Sequence, residues 1–291
     1  AWGSNLDWGF TKHPPMSAFF VEFFYKIFGS QDWSYYFLSQ IFVIFSFFIV
    51  YKFSEEIFQN KTLSIFSVLL LEGIFFYNFT TPEFNVNICQ LPFWALTVYF
   101  SWRIFNSKKL DTKDFILLGI FSAFGFLSKY LFIYLLTSVV LLFVYFIYFL
   151  KDRKFDFKYI ISIETFLILI VPHIIWLFNN EFVSITYGIA RTGLESSTII
   201  DHLNLPLIFL AKQIGILIPF LFLTFSLIKK IKYNFNINDK KLIFLLLINI
   251  LPILLILITS IILGSKIRTM WMTPFYLFLG TLFIYIFEKQ I

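Results

Sequence analysis

The sequence predicts an all-α protein, a polytopic bundle of about nine membrane-spanning helices. Three observations carry this. Of the 291 residues, 59% are hydrophobic and only 14% charged, with mean hydropathy +0.83, where soluble domains carry about 25% charged residues. Apolar runs long enough to cross a hydrocarbon core of about 30 Å as helices recur from end to end. The runs are apolar all round and lack the alternation of a β-barrel strand.

The elements follow in order, within one domain over residues 1–291 (outer loop and interfacial helix over 1–32, spans over 33–287). After an opening loop, Met16–Gly29 (MSAFFVEFFYKIFG) is too short to span. It carries Glu22 and Lys26 at i,i+4 spacing, and Pro14–Pro15 precede it. This predicts a short amphipathic helix in the membrane interface, with the two charges paired in solvent. Nine spans are then expected at Trp33–Tyr51, Thr62–Phe79, Ile88–Phe105, Phe115–Ser128, Tyr130–Leu150, Tyr159–Phe178, Pro206–Ile228, Leu242–Leu263 and Met272–Phe287. The fourth is short for a full crossing and reads as broken or incomplete.

Charge orients the chain. With the opening loop outside, the inside segments are Lys52–Lys61, Arg103–Asp114, Lys151–Lys158, Lys229–Lys241 and the tail after Phe287. Of 23 Lys and Arg, only Lys12, Lys26, Lys129, Arg191, Lys212, Lys266 and Arg268 stay on the other side. Every inside segment is basic, as the positive-inside rule expects. The net charge of +6 is therefore a topology signal, and nucleic acid is not an expected partner. The lone Cys89 cannot form an intrachain disulfide and reads as packing. No internal repeat of the kind many transporters carry is visible.

Inside cations are explained by topology; outside ones need another reason. The outside segments are Ala1–Pro15, Thr80–Asn87 (TTPEFNVN), Asn179–Leu205 and Gly264–Trp271 (GSKIRTMW). Lys129, in FLSKYLF between two spans, is the best single cation, because charge at membrane depth is costly and usually paired or functional. Glu72 is a mid-span acid, a functional candidate or a partner for a neighbouring helix. Glu164 is expected to snorkel to the basic side. His173 reads as a hydrogen-bonded helix histidine. His202, beside Asp201, and His13 are weak candidates for a metal, because the three histidines lack ligand spacing. There is no GxGxxG, P-loop or nucleophile elbow, so a soluble nucleotide-sugar site is not indicated.

The first outer loop adds a resemblance. LDWGFTKHPPMSAFF (6–20) resembles the LDWGYYDHPPL-type first-loop motif of GT-C class membrane glycosyltransferases, the dolichyl-phosphate-mannose–protein mannosyltransferase and aminoarabinose-transferase-like families. TTPEFNVNICQLPFWAL (80–96) is similar to the second-loop motif. GIFSAFGFLSKYLFIYLL (119–136) resembles a Gly-rich span ending in Lys-Tyr, and VPHIIWLFNNEFVSITYGIAR (171–191) a Pro, Trp-Asn and Phe-rich stretch ending in Arg. KQIGILIPFLF and SKIRTMWMTPFY fit less specifically. The shared order covers nearly the whole chain.

The resemblance implies transfer of a sugar from a polyprenyl-phosphate donor to a lipid, glycan or protein acceptor. It implies the periplasmic face of a bacterial inner membrane. Glu83 and Asp7 are then the acceptor-side carboxylates. His13, Lys129 and Arg191 serve the donor phosphate, with Lys12, Tyr130, Lys266 and Arg268 in support. No cofactor is required by these parts, and a divalent metal stays open. Two departures stand out: Lys12 replaces the usual acid before His-Pro-Pro, and Glu83 replaces an aspartate. In that family an acidic pair lies upstream of the LDWG segment, after a first span, so both are expected to precede Ala1, with Ala1–Asn5 as the tail of that stretch. The other reading is a transporter or flippase of lipid-linked sugars, which would need ionisable groups deep in several spans. A non-catalytic membrane scaffold would need no ordered outer motif.

Overall fold

The computed structural model describes residues 5–151, 153–194, 197–228 and 239–290. The expectation for Ala1–Ser4 and most of that for Lys229–Lys241 lie outside them. Among the described residues the chain is helical and has no strand. The order is α1 (Met16–Phe28), α2 (Asp32–Phe58), α3 (Lys61–Leu69), α4 (Phe75–Phe79), α5 (Val86–Cys89), α6 (Leu91–Asn106) and α7 (Thr112–Ser128). It continues with α8 (Ile133–Val144), α9 (Lys158–Asn179), α10 (Val183–Ala190), α11 (Asp201–Leu227), α12 (Lys240–Leu263) and α13 (Leu279–Phe287).

Five helical stretches are long and apolar enough to cross a membrane: Asp32–Phe58, Tyr130–Phe149, Lys158–Asn179, Asp201–Leu227 and Lys240–Leu263. A sixth is the pair Thr269–Tyr276 and Leu279–Phe287, bent by 51° at its break. The other expected spans are helical but shorter or interrupted. Thr62–Phe79 is divided into α3, a 3-10 turn at Leu70–Gly73, and α4, with Ile74 extended between them. Gly73 lies against the backbone of Phe220 in α11, so the break is where two segments of the backbone approach closely. There Glu72 is exposed, and its carbonyl accepts from the Asn78 amide, which satisfies a group the interrupted helix leaves open.

Two boundaries move for local reasons. α2 runs on to Phe58 through what the sequence assigns to a loop. Lys52 and Glu55 pair at 2.9 Å across one turn, and the helix stops only at Gln59, which is left-handed, before the Asn60 side chain caps α3 through Thr62 N and Leu63 N. α11 begins at Asp201 rather than Pro206, so His202 is helical.

The core is aromatic. Phe53 of α2 packs edge-on against Phe278 (4.9 Å) and Trp102 (6.0 Å), and Trp102 against Phe244 of α12 (5.0 Å). α7 packs on α9 and α6, and α2 on α6 and α3. Ser54 and Thr281 join α2 to α13 by a buried hydrogen bond of 2.8 Å, a polar tie suited to helices in lipid.

The expected inside segments meet at one end of the bundle. Lys241 Nζ donates to Ile57 O at 2.7 Å, Tyr285 to Asp239 at 2.7 Å and Lys158 Nζ to Leu110 O at 3.0 Å. Arg103 pairs with Asp114 at 3.2 Å. The opening loop, Asn87, Lys129, Trp176 and Thr192 gather at the other end.

Candidate functional site

The LDWG segment docks on one face of α9. His173 and Trp176, three apart, share that face. Asp7 Oδ2 accepts from Trp176 Nε1 at 2.7 Å, while Asp7 Oδ1 accepts from Trp8 N at 2.7 Å. The Trp8 carbonyl accepts from His173 Nδ1 at 2.6 Å. Gly9 lies against the Trp176 ring, where a Cβ would overlap it, so the close approach needs glycine. Beyond this latch, Phe10 and His13 exchange backbone hydrogen bonds (3.1 and 3.3 Å). That tight turn holds His13 ahead of the buried Pro14 and Pro15.

A second chain of contacts runs from the latch. With His173 Nδ1–H committed to Trp8, the neutral ring offers Nε2 as acceptor. The Tyr130 hydroxyl lies 2.9 Å from it and 2.6 Å from Ser184 Oγ. The satisfied order is Ser184 donating to Tyr130 and Tyr130 to His173. Tyr130 therefore couples the start of its span, α9 and α10. Glu181 and Phe182 adopt left-handed backbone (φ 51° and 55°) at the α9–α10 turn, a conformation costly for residues with a Cβ. The reversal brings Ser184, Tyr187 and Arg191 back toward the first loop.

The result is a cationic cluster around His13. Burial first, then the charges of Lys129, Lys12 and Arg191, push the His13 pKa down to about 4. His13 is therefore neutral at pH 7, among three cations from three parts of the sequence. Lys12 Nζ and Arg191 Cζ each lie 5.8 Å from the centre of the Tyr187 ring, so one aromatic face serves both. Lys129, at the junction outside α7 and the following span, is 6% exposed. It donates to Asn87 Oδ1 at 2.5 Å and sits 5.2 Å from the Trp271 ring centre. Burial pushes its pKa well down, and an incoming anion would oppose that shift.

The remaining candidates are placed as follows. Glu83 is exposed on the loop held by Thr81, whose carbonyl accepts from Ser39 (2.6 Å) and Gln40 (3.0 Å). The Glu83 carboxylate makes no salt bridge among the described residues. Asp7 has both oxygens engaged in the latch. Lys266 is exposed, and its backbone N–H donates to Thr192 O at 2.9 Å. Arg268 Nε is buried without a partner. His202 does not join His13: its Nδ1 donates to Ile261 O at 2.7 Å and its ring lies beside Gly264. Asp201 turns instead to Thr198. Among the described residues no three His, Cys, Asp or Glu side chains group as metal ligands. Lys129, Lys12 and Arg191, the charges that act on His13 among the described residues, are positive and do not fit a divalent cation. Sequence reasoning missed Asn87, Trp176, Tyr187 and Ser184; the H-x-x-W spacing on α9 was the available signal for the latch.

The fold and sequence both have known counterparts. The crystal structure of ArnT from Cupriavidus metallidurans bound to undecaprenyl phosphate superposes over 99% of this chain and 55% of that one, with TM-score 0.66 at 11% identity. The same protein in the apo state gives TM-score 0.68 at 12% identity, over 99% and 53%. The undecaprenyl phosphate-alpha-4-amino-4-deoxy-L-arabinose arabinosyl transferase of Wigglesworthia glossinidia brevipalpis is 30% identical over 143 residues, 48% of this chain and 25% of the relative. The chain thus spans about half the length of those solved structures, and the aligned region is a quarter of the curated relative. Residues 12–176, from the cation before His13 to the indole that pins Asp7, match the family model for dolichyl-phosphate-mannose-protein mannosyltransferase. With more than half its length matched and the first loop and α9 joined within that stretch, the chain belongs to the dolichyl-phosphate-mannose-protein mannosyltransferase family.

Proposed function

We propose that this chain is the membrane-embedded part of a glycosyltransferase. It transfers a hexosyl or pentosyl group from a polyprenyl-phosphate donor to an acceptor hydroxyl on a lipid, glycan or protein, at the periplasmic face of the inner membrane. The observation that supports it is the convergence of Lys12, Lys129 and Arg191 on His13, beside the Tyr187 and Trp271 rings. A leaving phosphate needs fixed positive charge where negative charge develops. Lys129 is held ammonium by the phosphate itself, whose charge opposes the downward push of burial. Arg191 offers a planar guanidinium suited to phosphate oxygens. His13 supplies N–H donation while neutral, and charge if the anion raises its pKa.

The acceptor hydroxyl needs a carboxylate on the opposite side of the anomeric carbon. Glu83 is the described candidate, exposed on the second outer loop. Asp7 we assign to holding the loop. No step is routed through a metal. In this reading α1 lies in the membrane interface and the shorter helices α3–α4, α6 and α7 complete the nine crossings with the long ones. Glu72, the mid-span acid a transport reading would use, is exposed at a helix break.

The test is transfer from a polyprenyl-phosphate sugar by the full-length protein carrying Lys129→Ala or Glu83→Gln. Each is expected to lower turnover by about 10²–10³-fold. Wild-type turnover in both would overturn the assignment.

A further inference from the structure

The basic end of the bundle holds a cleft of about 560 Å³ that the outer-end chemistry does not use. Its walls include Trp102, Phe105, Arg153, Lys240, Lys241 and Tyr285. A volume of this order is typical of ligand sites, about 300–1,000 Å³. Three of these side chains are cations. One carboxylate, Asp239, also lines the cleft, but it is committed elsewhere. Its Oδ1 caps α12 through Lys241 N (3.0 Å) and Leu242 N (3.3 Å), and its Oδ2 accepts from Tyr285 at 2.7 Å.

Two donors on this cleft are unmatched. Trp102 is 1% exposed, and among the described residues its Nε1–H has no hydrogen-bond partner; Arg153 Nε is likewise buried and unpartnered there. The Arg153 guanidinium instead sits 5.8 Å from the centre of the Phe105 ring. Leaving such a donor unpaired costs about 1–3 kcal/mol each, so the pair points to an acceptor that belongs in the cleft. What suits this wall is a group with several acceptor oxygens and negative charge, beside aromatic surface.

We propose that the cleft is a second anion site, at the opposite end from the His13 cluster, that binds a phosphate group through Arg153 and the Trp102 indole N–H. The phosphate can be that of a phospholipid headgroup, whose tails would follow the aromatic wall, or that of a soluble phosphate. Basic pockets between helices at the positive end of a membrane protein suit anionic lipid heads. The proposal does not depend on the glycosyl-transfer reading.

The test uses the full-length protein in neutral detergent and reads thermal unfolding against three probes: phosphatidylglycerol in mixed micelles, phosphatidylcholine as the zwitterionic control, and inorganic phosphate. Phosphatidylglycerol is expected to stabilise the wild type. Arg153→Gln should raise the half-saturating concentration about tenfold, and Trp102→Phe, which keeps an aromatic ring, several-fold. Arg153→Lys should fall between, and Lys26→Ala, an exposed lysine on α1 outside both clusters, should respond like wild type. Stabilisation by inorganic phosphate that Arg153→Gln loses, with none from the lipid, assigns the site to a soluble phosphate. Equal responses of wild type, Arg153→Gln and Trp102→Phe, or no response to any probe, overturn the proposal.

Discussion

The indole N–H of Trp176 donates to the Asp7 carboxylate at 2.7 Å, a contact between positions 169 apart in the chain. It fixes the first loop to the middle of the sequence, and Gly9 against the same ring makes the fit close. The carboxylate is exposed, so Trp176→Phe loses one charge-assisted hydrogen bond without stranding a buried ion. Loop opening at residues 5–13, read by hydrogen exchange, is expected to rise about tenfold, the equivalent of about 1.4 kcal/mol. Gly9→Ala should open it further, since the added methyl must displace the ring. If exchange in the loop is unchanged in both variants, the latch does not hold it.

Tyr130 closes a second link, and its hydroxyl bridges His173 and Ser184. Tyr130→Phe leaves both partners unpaired, at a cost of about 1–3 kcal/mol. Ser184→Ala should cost less, because Tyr130 keeps its bond to His173. In a thermal-unfolding double-mutant cycle, Tyr130→Phe and Ser184→Ala should couple by about 0.5–2 kcal/mol. Strict additivity would show that the two hydroxyls act independently.

What could be read from the sequence follows from where each residue's energy is decided. Lys12, Lys129 and Arg191 stood out because cations away from the basic loops have no topological explanation, and His13 because it lies in the first-loop motif. Their convergence is set by tertiary contacts that no local pattern encodes. His173 and Trp176 sit in an apolar helix whose periodicity announces a span and nothing more; only their partners in the first loop give them a role. Similarly, the break at Glu72 depends on α11 pressing against Gly73, while the acid itself was a visible anomaly. The continuation of α2 through Lys52–Phe58 rests on a local ion pair and the Asn60 cap, so this boundary was within reach. The inner cleft was hidden by its own explanation. Arg153, Lys240 and Lys241 read as topology signals, and Trp102 falls within an expected span.

Asn87 keeps Lys129 hydrogen-bonded while both are nearly buried, at 8% and 6% exposure. Asn87→Leu removes the one side-chain acceptor on that ammonium and leaves a burial-depressed cation next to Trp271. The neutral amine is then favoured, and it is a weaker partner for phosphate. Affinity for a polyprenyl-phosphate sugar is expected to fall at least about tenfold, the scale of a hydrogen bond to a charged group. Asn87→Asp should instead hold Lys129 charged by direct pairing, but compete with the donor phosphate for it. Donor binding by either variant at wild-type affinity would remove Lys129 from the phosphate site.

His13 makes the site's response to pH predictable. Its folded pKa of about 4 lies below the ordinary 6.5, so between these values the unfolded chain binds more protons than the folded one. Its contribution to stability is therefore complete above pH 6.5 and is lost as pH falls toward 4, by up to about 3 kcal/mol before salt screens the part due to the lysines and arginine. Donor binding has the opposite slope. A phosphodiester adds negative charge where Lys129, Lys12 and Arg191 had disfavoured protonation, so the His13 pKa rises on binding and a proton is taken up. Affinity for a polyprenyl-phosphate sugar should thus increase as pH falls from 6.5 toward 4, while thermal stability of the unliganded protein declines over the same window. His13→Gln should flatten both curves across that window. Calorimetry in buffers of different ionisation enthalpy reads the proton directly: uptake that vanishes in His13→Gln is the expected result, and uptake that persists unchanged would assign the titration to another group.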